Sequence, residues 1–265
     1  MTVRHAPWPA GTPCWAELAV QDPARSQEFY RAVLGWEHTA PDPGGRVLAL
    51  VDGAPVAGLA PGAAPDGAPV WQVHLACDRI EACAERVLAA GGKQLRAPAP
   101  RGSAGTAGLW RDPTGAAFGL WQAGELIGFT AVDVPGAPVW CDLTTPDPDG
   151  ARDFYAQVFG YAYTDRATTG APYAAFTVPG GQQWGGGIGG TDPAAGDAPA
   201  VWSVCFAVED ADAAAARARE AGGAVMEEPM AFEYGRLAVL AGPDRESFAV
   251  MSPTAPEDGR APAGR

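Results

Sequence analysis

The chain has 265 residues, enough for two domains of ordinary size, and 47% hydrophobic with 18% charged residues is a globular composition, not a disordered one. A formal net charge of −13 argues against a nucleic-acid backbone or an anionic membrane as partner. No segment approaches the roughly 18 apolar residues that span a bilayer, the opening MTVRHAPWPAGTP lacks the apolar core of a secretion signal, and the five cysteines include no CxxC pair, so a cytoplasmic protein with reduced thiols is expected.

In chain order, the first predicted unit is WAELAVQDPARSQEFYRAVLGW, residues 15–36. Trp15 to Val20 is β-like. Asp22 and Pro23 supply an N-cap and a proline for the first helical turn, Phe29, Tyr30, Val33 and Leu34 recur at helical spacing, and Gly35 stops the helix. The β-prone pieces RVLALV and APVAGL follow, separated by Pro/Gly turns. A second unit, VWQVHLACDRIEACAERVLAAGGK (70–93), reads as a strand, an Asp near the helix start (Asp78) and a helix closed by Gly-Gly. The pieces AGLWRD and AAFGLW end this first domain, 10–123, and a linker over 124–138 leads to a second, 139–252.

The second domain repeats the first. WCDLTTPDPDGARDFYAQVFGY (140–161) keeps Trp140, Leu143, Asp147, Pro148, Phe154, Tyr155, Val158 and Gly160 in register, at an offset of 140 − 15 = 125. VWSVCFAVEDADAAAARAREAGGA (201–224), with Asp210 at its helix start, matches the other unit at 201 − 70 = 131. A weaker slide of 57 inside the first domain places Leu18 on Leu75, Ala19 on Ala76 and Gly35 on Gly92. These repeats predict four βαβββ modules, paired into two tandem domains. The run GGQQWGGGIGG (180–190) has neither the GxxxxGK[ST] form nor a GxGxxG opening a helix, and reads as a loop or a tight strand. Residues 253–265, PTAPEDGRAPAGR, are predicted to be disordered.

The recurring strand, Asp, Phe-Tyr and Gly, followed by short strands and a module ending DPTGAAFGLWQ, resembles the vicinal oxygen chelate superfamily over nearly all of residues 10–252. The likeness is to the tandem glyoxalase/bleomycin resistance/dioxygenase-like proteins of actinobacteria, and it implies an α+β fold in which each pair of βαβββ modules forms a cupped mixed sheet with helices on its outer face. The resemblance implies that metal enzymes of this kind project His, Gln or Glu ligands into the cup from the first and last strands of each module. Here those positions fall on Trp15, Gln72, a place near Gly58, and Gly119, and in the second domain on Trp140, a glycine near Gly187, Ser203 and Ala249. A bound divalent ion needs three or four converging donors, and only Gln72 offers one of the usual kind, so no metal and no cofactor are expected.

Strand alternation places Glu17 and His74 in the first cup with Trp15, Gln72 and Trp121, and Asp142, Ser203 and Cys205 in the second with Trp140. Glu17 and His74 are equivalent under the slide of 57, and a carboxylate beside an imidazole raises its pKa, giving a candidate general base. The plain alternative is an acid and a histidine that satisfy each other or the backbone at a structural rim. Cys205 reads as a small apolar filler. Trp15, Trp121 and Trp140, with Trp110 or Trp184 reaching in, either wall a cavity for a planar organic molecule or plug the cups.

The leading expectation is a metal-independent protein, similar to bleomycin-resistance proteins, that binds and sequesters a small, partly aromatic molecule. Its binding residues are then Trp15, Gln72, Trp121, Trp140, Asp142, Ser203 and Cys205. One alternative is a metal-free lyase, isomerase or hydroxylase-like enzyme using Glu17 and His74. Others are a metal-dependent lyase or dioxygenase, or a structural protein with filled cups. Four modules in one chain predict that each cup closes within the chain, as a monomer or homodimer.

Overall fold

The computed structural model describes residues 2–62, 69–132, 134–166, 171–181, 185–191 and 198–253. Strand β1 (Thr2–Val3) pairs with β10 (Ala131–Val132) and ties the N-terminal segment to the connection between two eight-stranded sheets. The first sheet contains β2 (Pro13–Val20), β3 (Glu37–His38), β4 (Val47–Val51), β5 (Ala54–Pro61), β6 (Trp71–Ala76), β7 (Lys93–Pro100), β8 (Gly105–Arg111) and β9 (Ala117–Ala123). Their spatial order is β3-β4-β5-β2-β6-β9-β8-β7. The second sheet contains β11 (Pro138–Thr145), β12 (Ala162–Arg166), β13 (Tyr173–Thr177), β14 (Gly186–Gly190), β15 (Val201–Ala207), β16 (Ala224–Phe232), β17 (Gly235–Ala241) and β18 (Ser247–Ser252). Its order, β12-β13-β14-β11-β15-β18-β17-β16, repeats that of the first. In each sheet the leading strands of two βαβββ modules run antiparallel at the centre, and each leading strand pairs in parallel with the last strand of its own module. Each sheet is thus completed by one continuous stretch of chain.

The helices form where the local signals place them. Helix α1 (Pro23–Leu34) is capped by the Asp22 carboxylate on Arg25 N at 3.2 Å and ends at Gly35 with φ 74°. Helix α3 (Pro148–Phe159) repeats this with Asp147 on Gly150 N at 2.9 Å and Gly160. In α4 (Ala211–Glu220) Asp210 caps Asp212 N and Ala213 N. Helix α2 (Ile80–Ala89) starts just after Asp78; Arg79 occupies the cap position, and the side chain of Gln122 on β9 accepts from Ile80 N at 2.8 Å.

The helix-bearing faces of the two sheets pack against each other. Arg217 of α4 donates to Val33 O of α1 at 3.2 Å, and Arg86 of α2 donates to Val158 O of α3 at 3.0 Å. Between these pairs Trp71 of β6 meets Phe206 of β15, with ring centroids 5.6 Å apart. The helices thus lie on the faces by which the two sheets meet.

Two buried relays cross this seam. Trp71 Nε1–H donates to the Tyr30 oxygen at 3.1 Å, and the Tyr30 hydroxyl donates to Glu246 at 2.7 Å. Trp202 Nε1–H donates to Tyr155 at 2.8 Å, and Tyr155 donates to Asp112 at 2.9 Å. The two carboxylates come from non-equivalent positions. Aligning Phe118 with Phe248, an offset of 130, puts Asp112 on Gly242, and a β-carbon there would lie 2.0 Å from Glu246 Oε1. Glu246 therefore fills the space that a side chain at position 242 would take.

Candidate functional site

The first cup is built on the central strands. In the β2–β6 ladder Trp15 faces His74 and Glu17 faces Gln72, while Glu17 also pairs with Gly58 of β5 and His74 with Gly119 of β9. The two glycines make room for neighbouring side chains. A β-carbon at Gly119 would lie 2.0 Å from His74 Nδ1, and one at Gly58 would lie 3.3 Å from the Trp15 ring and 3.5 Å from Glu17 Cγ. Side chains from the first strands therefore cover the two last-strand positions where the resemblance puts metal ligands.

The cup divides into a closed apolar half and an open polar half. Trp15 and Trp121 are buried, at 1% and 4% exposure, with their rings 6.4 Å apart. Phe129, from the connection between the sheets, lies 5.8 Å from Trp15, and its amide donates to Cys14 O at 2.7 Å. Segment 124–131 thus lids one end of the cup, and the expectation that Trp15 and Trp121 wall a stacking cavity gives way to the plug reading. Trp110 does not reach the cup either. It is fully buried on the helix side of β8, whereas its neighbour Leu109 lines the cleft. Trp184 lies outside the described residues, as do residues 254–265 of the tail.

The open half is a cleft of about 170 Å³ lined by Glu17, Gln72, His74, Arg46, Arg96 and Arg101, with Ala19, Ala60, Pro61, Val70 and Leu109 completing the wall. Glu17 is not the partner of His74, since no hydrogen bond or ion pair joins them; its carboxylate pairs with Arg46 Nε at 2.8 Å. His74 is 3% exposed, and its Nδ1 has no hydrogen-bond partner. Burial lowers its pKa to about 4; Glu17 opposes that shift and Arg101 adds to it. The expected upward shift is reversed because desolvation outweighs a carboxylate already neutralised by an arginine. Gln72 turns its amide nitrogen to Ala117 O at 3.2 Å.

The second cup repeats the geometry with other chemistry. Trp140 faces Cys205, Asp142 faces Ser203, and Asp142 pairs with Gly187 of β14. The Asp142 carboxylate accepts from Trp140 Nε1–H at 2.8 Å and from the Tyr173 hydroxyl at 2.6 Å, so its partners are these and not Cys205. A β-carbon at Gly187 would lie 2.0 Å from the Tyr173 oxygen. Burial raises the Asp142 pKa, against the two hydrogen bonds, and pushes the buried Cys205 thiol well up. Ladder register makes Tyr173 the counterpart of Arg46. Each stands two residues before the one that faces the shared glycine, Ala175 opposite Gly187 and Leu48 opposite Gly58. Acid and partner have diverged together: Glu17 with an arginine, Asp142 with a tyrosine.

Sequence reasoning missed Tyr173, Phe129 and the three arginines. The glycines were the available signal, because a missing side chain on a cup-facing strand means that another side chain occupies the space. Among the described residues no three of His, Cys, Asp and Glu come together as a metal cluster.

Residues 15–121 match the profile of the glyoxalase-like domain, and residues 137–250 match that of the glyoxalase/bleomycin resistance protein/dioxygenase superfamily. The chain belongs to that superfamily. Over 251 residues it is 37% identical to a putative glyoxylase, CFP32, of Mycobacterium tuberculosis, covering 92% of this chain and 95% of that one. It is 34% identical to the anthracycline biosynthesis protein DnrV of Streptomyces peucetius, covering 94% of each. Among solved structures, a Mn(II)-bound glyoxalase from Novosphingobium aromaticivorans superposes with a TM-score of 0.64 at 18% identity, over 92% of this chain and 83% of that one. The 2,3-dioxygenase LapB of Pseudomonas sp. KL28 superposes with a TM-score of 0.66 at 16% identity, over 96% and 97%. These last two likenesses are of fold alone. Among the described residues no helix is long and apolar enough to cross a membrane.

Proposed function

We propose that this member of the superfamily is a metal-independent binder of a small organic molecule, and that its working site is the open half of the first cup. One observation carries the reading. Of the first-cup positions that would hold metal ligands, Trp15, Gly58 and Gly119 present indole or no side chain and only Gln72 a donor, and His74 fills the space above Gly119 while flooring a solvent-open cleft. The anthracycline biosynthesis relatives support a place in natural-product metabolism, with an aromatic molecule as ligand. The test is metal analysis of the purified chain, then tryptophan quenching and thermal shift with an anthracycline and a panel of smaller aromatic acids, before and after chelation. Metal well below one ion per chain, binding unchanged by chelation and binding weakened in His74→Ala are expected. Stoichiometric manganese, iron, nickel or zinc whose removal abolishes binding overturns the proposal, as does a panel without any binder.

A second reading has one observation in its favour: the imidazole of His74 lines the cleft and is held neutral by burial, the protonation state that a general base needs. On that reading the chain is a metal-free lyase, isomerase or hydroxylase-like enzyme. Turnover of an identified ligand by wild type, lost in His74→Gln with binding retained, separates it from sequestration.

A further inference from the structure

The polar half of the first cup carries a charge that its own contacts leave unbalanced. Three guanidinium groups, Arg46, Arg96 and Arg101, line one cleft of a chain whose net charge is −13. They arrive from separate places: Arg46 just before β4, Arg96 on the edge strand β7, and Arg101 just after it. Glu17 neutralises Arg46, and Asp42, outside the lining, reaches the same guanidinium at 3.7 Å. Arg96 and Arg101 have no side-chain hydrogen bond or ion pair among the described residues.

Like charges gathered at the mouth of a part-buried cleft repel one another, so the arrangement is unfavourable without an anion. Arg101 has a lowered pKa, chiefly through burial; Glu17 opposes the shift, and Arg46 and Arg96 add to it. The cleft floor adds an independent feature, since His74 lines the cavity with a buried Nδ1 that has no partner. A neutral imidazole supplies one donor and one acceptor, and a guanidinium presents a planar fork of N–H donors matched to two oxygens of a carboxylate or phosphate. A cavity of about 170 Å³ lies below the roughly 300–1,000 Å³ of drug-sized sites, so it takes a small acid or the charged end of a larger molecule.

We propose that the open half of the first cup is an oxyanion-recognition site, in which Arg96 and Arg101 grip a carboxylate or phosphate group of an organic acid above His74. This rests on the binding role assigned to that cleft and specifies its ligand class. The second cup does not share the property, because ladder register makes Glu227 the counterpart of Arg96: Arg96 faces Leu109, which faces Gly119, as Glu227 faces Val239, which faces Ala249.

Calorimetric titration of the full chain with malonate, inorganic phosphate and the neutral isostere malonamide tests the assignment. The variants are Arg96→Gln and Arg101→Gln, with Arg25→Gln on α1, outside the cleft, as control. Malonate or phosphate should bind, malonamide should not, and each cleft variant should weaken binding by about tenfold or more, as expected for a charged hydrogen-bonding partner removed. Raised salt should weaken binding, and the control should match wild type. Tighter malonate marks a carboxylic acid as the ligand, and tighter phosphate marks a phosphorylated one. Thermal unfolding of the variants near wild type confirms that they fold. Neither anion binding, malonamide binding as well as malonate, or equal affinity in wild type and both cleft variants overturns the oxyanion site. Those outcomes leave the broader binding role standing, since that falls only by its own chelation and panel tests.

Discussion

Removing one oxygen atom at the seam between the domains should weaken the whole molecule. In Tyr30→Phe the ring packing is kept while the hydroxyl that donates to Glu246 at 2.7 Å and accepts from Trp71 Nε1–H at 3.1 Å is lost. A hydrogen bond to a charged group contributes about 1.5–3 kcal/mol, and a buried indole N–H left unsatisfied costs about 1 kcal/mol or more, so a loss of about 3 kcal/mol is expected. At about 2–4 °C per kcal/mol for a chain of this size, Tm should fall by about 6–12 °C. The deficit should depend on pH with a definite sign. Burial raises the Glu246 pKa above its ordinary 4.5, and the Tyr30 hydroxyl offsets part of that rise. A carboxyl that holds its proton more tightly when folded favours the native state below its unfolded pKa and loses that advantage as pH rises through the folded value. Without the hydroxyl the ionised form suffers most, so the deficit should be larger at neutral pH than near pH 5. Urea unfolding followed by tryptophan fluorescence at the two pH values measures this, with Tyr155→Phe as the twin across the pseudo-symmetry. A Tyr30→Phe protein within about 0.5 kcal/mol of wild type, the range of an ordinary surface substitution, would refute the relay. So would a deficit that grows on acidification.

Two further outcomes concern the first cup. His74, held at about 4 against an ordinary 6.5, should cost the folded state stability as pH falls from 6.5 toward 4, by about 3 kcal/mol when complete. In His74→Gln the urea midpoint should fall less over that interval, and an unchanged pH dependence would show that the imidazole is not buried in the native protein. Gly119→Ala places a β-carbon 2.0 Å from His74 Nδ1 and must push the ring aside. Overpacking of about 1–3 kcal/mol and a displaced His74 NMR resonance are expected, and neither would appear if the ring lay elsewhere.

The repeats at offsets of 125 and 131, the Asp-Pro helix starts and the Gly stops were legible because each is a local signal read within a few residues. Strand alternation likewise assigned Glu17, Gln72 and His74 to one face, since the period of two is a property of the backbone. The side chain that caps α2 was not legible for the opposite reason: Gln122, which accepts from Ile80 N, sits at the far end of the module.

The site depended on what the sequence does not display, which is who stands opposite whom. Glu17 and His74 share a cup, yet the register sets Glu17 against Gln72, and Arg46, ahead of a strand two positions away in the sheet, takes its carboxylate. The upward pKa expected for His74 assumed a free acid; enclosure of the ring and the pairing of that acid reversed it. Trp15 and Trp121 meet at one end of the first cup, where Phe129 from the connection between domains closes over Trp15 and leaves the polar half open. The sequence by itself determined the modules and their duplication, because these follow from residue type and spacing. Tertiary structure alone decided that one half of one cup is a cationic cleft. Burial, register and the meeting of Arg46, Arg96 and Arg101 are set by contacts between segments far apart in the chain, and those contacts fix both protonation and access.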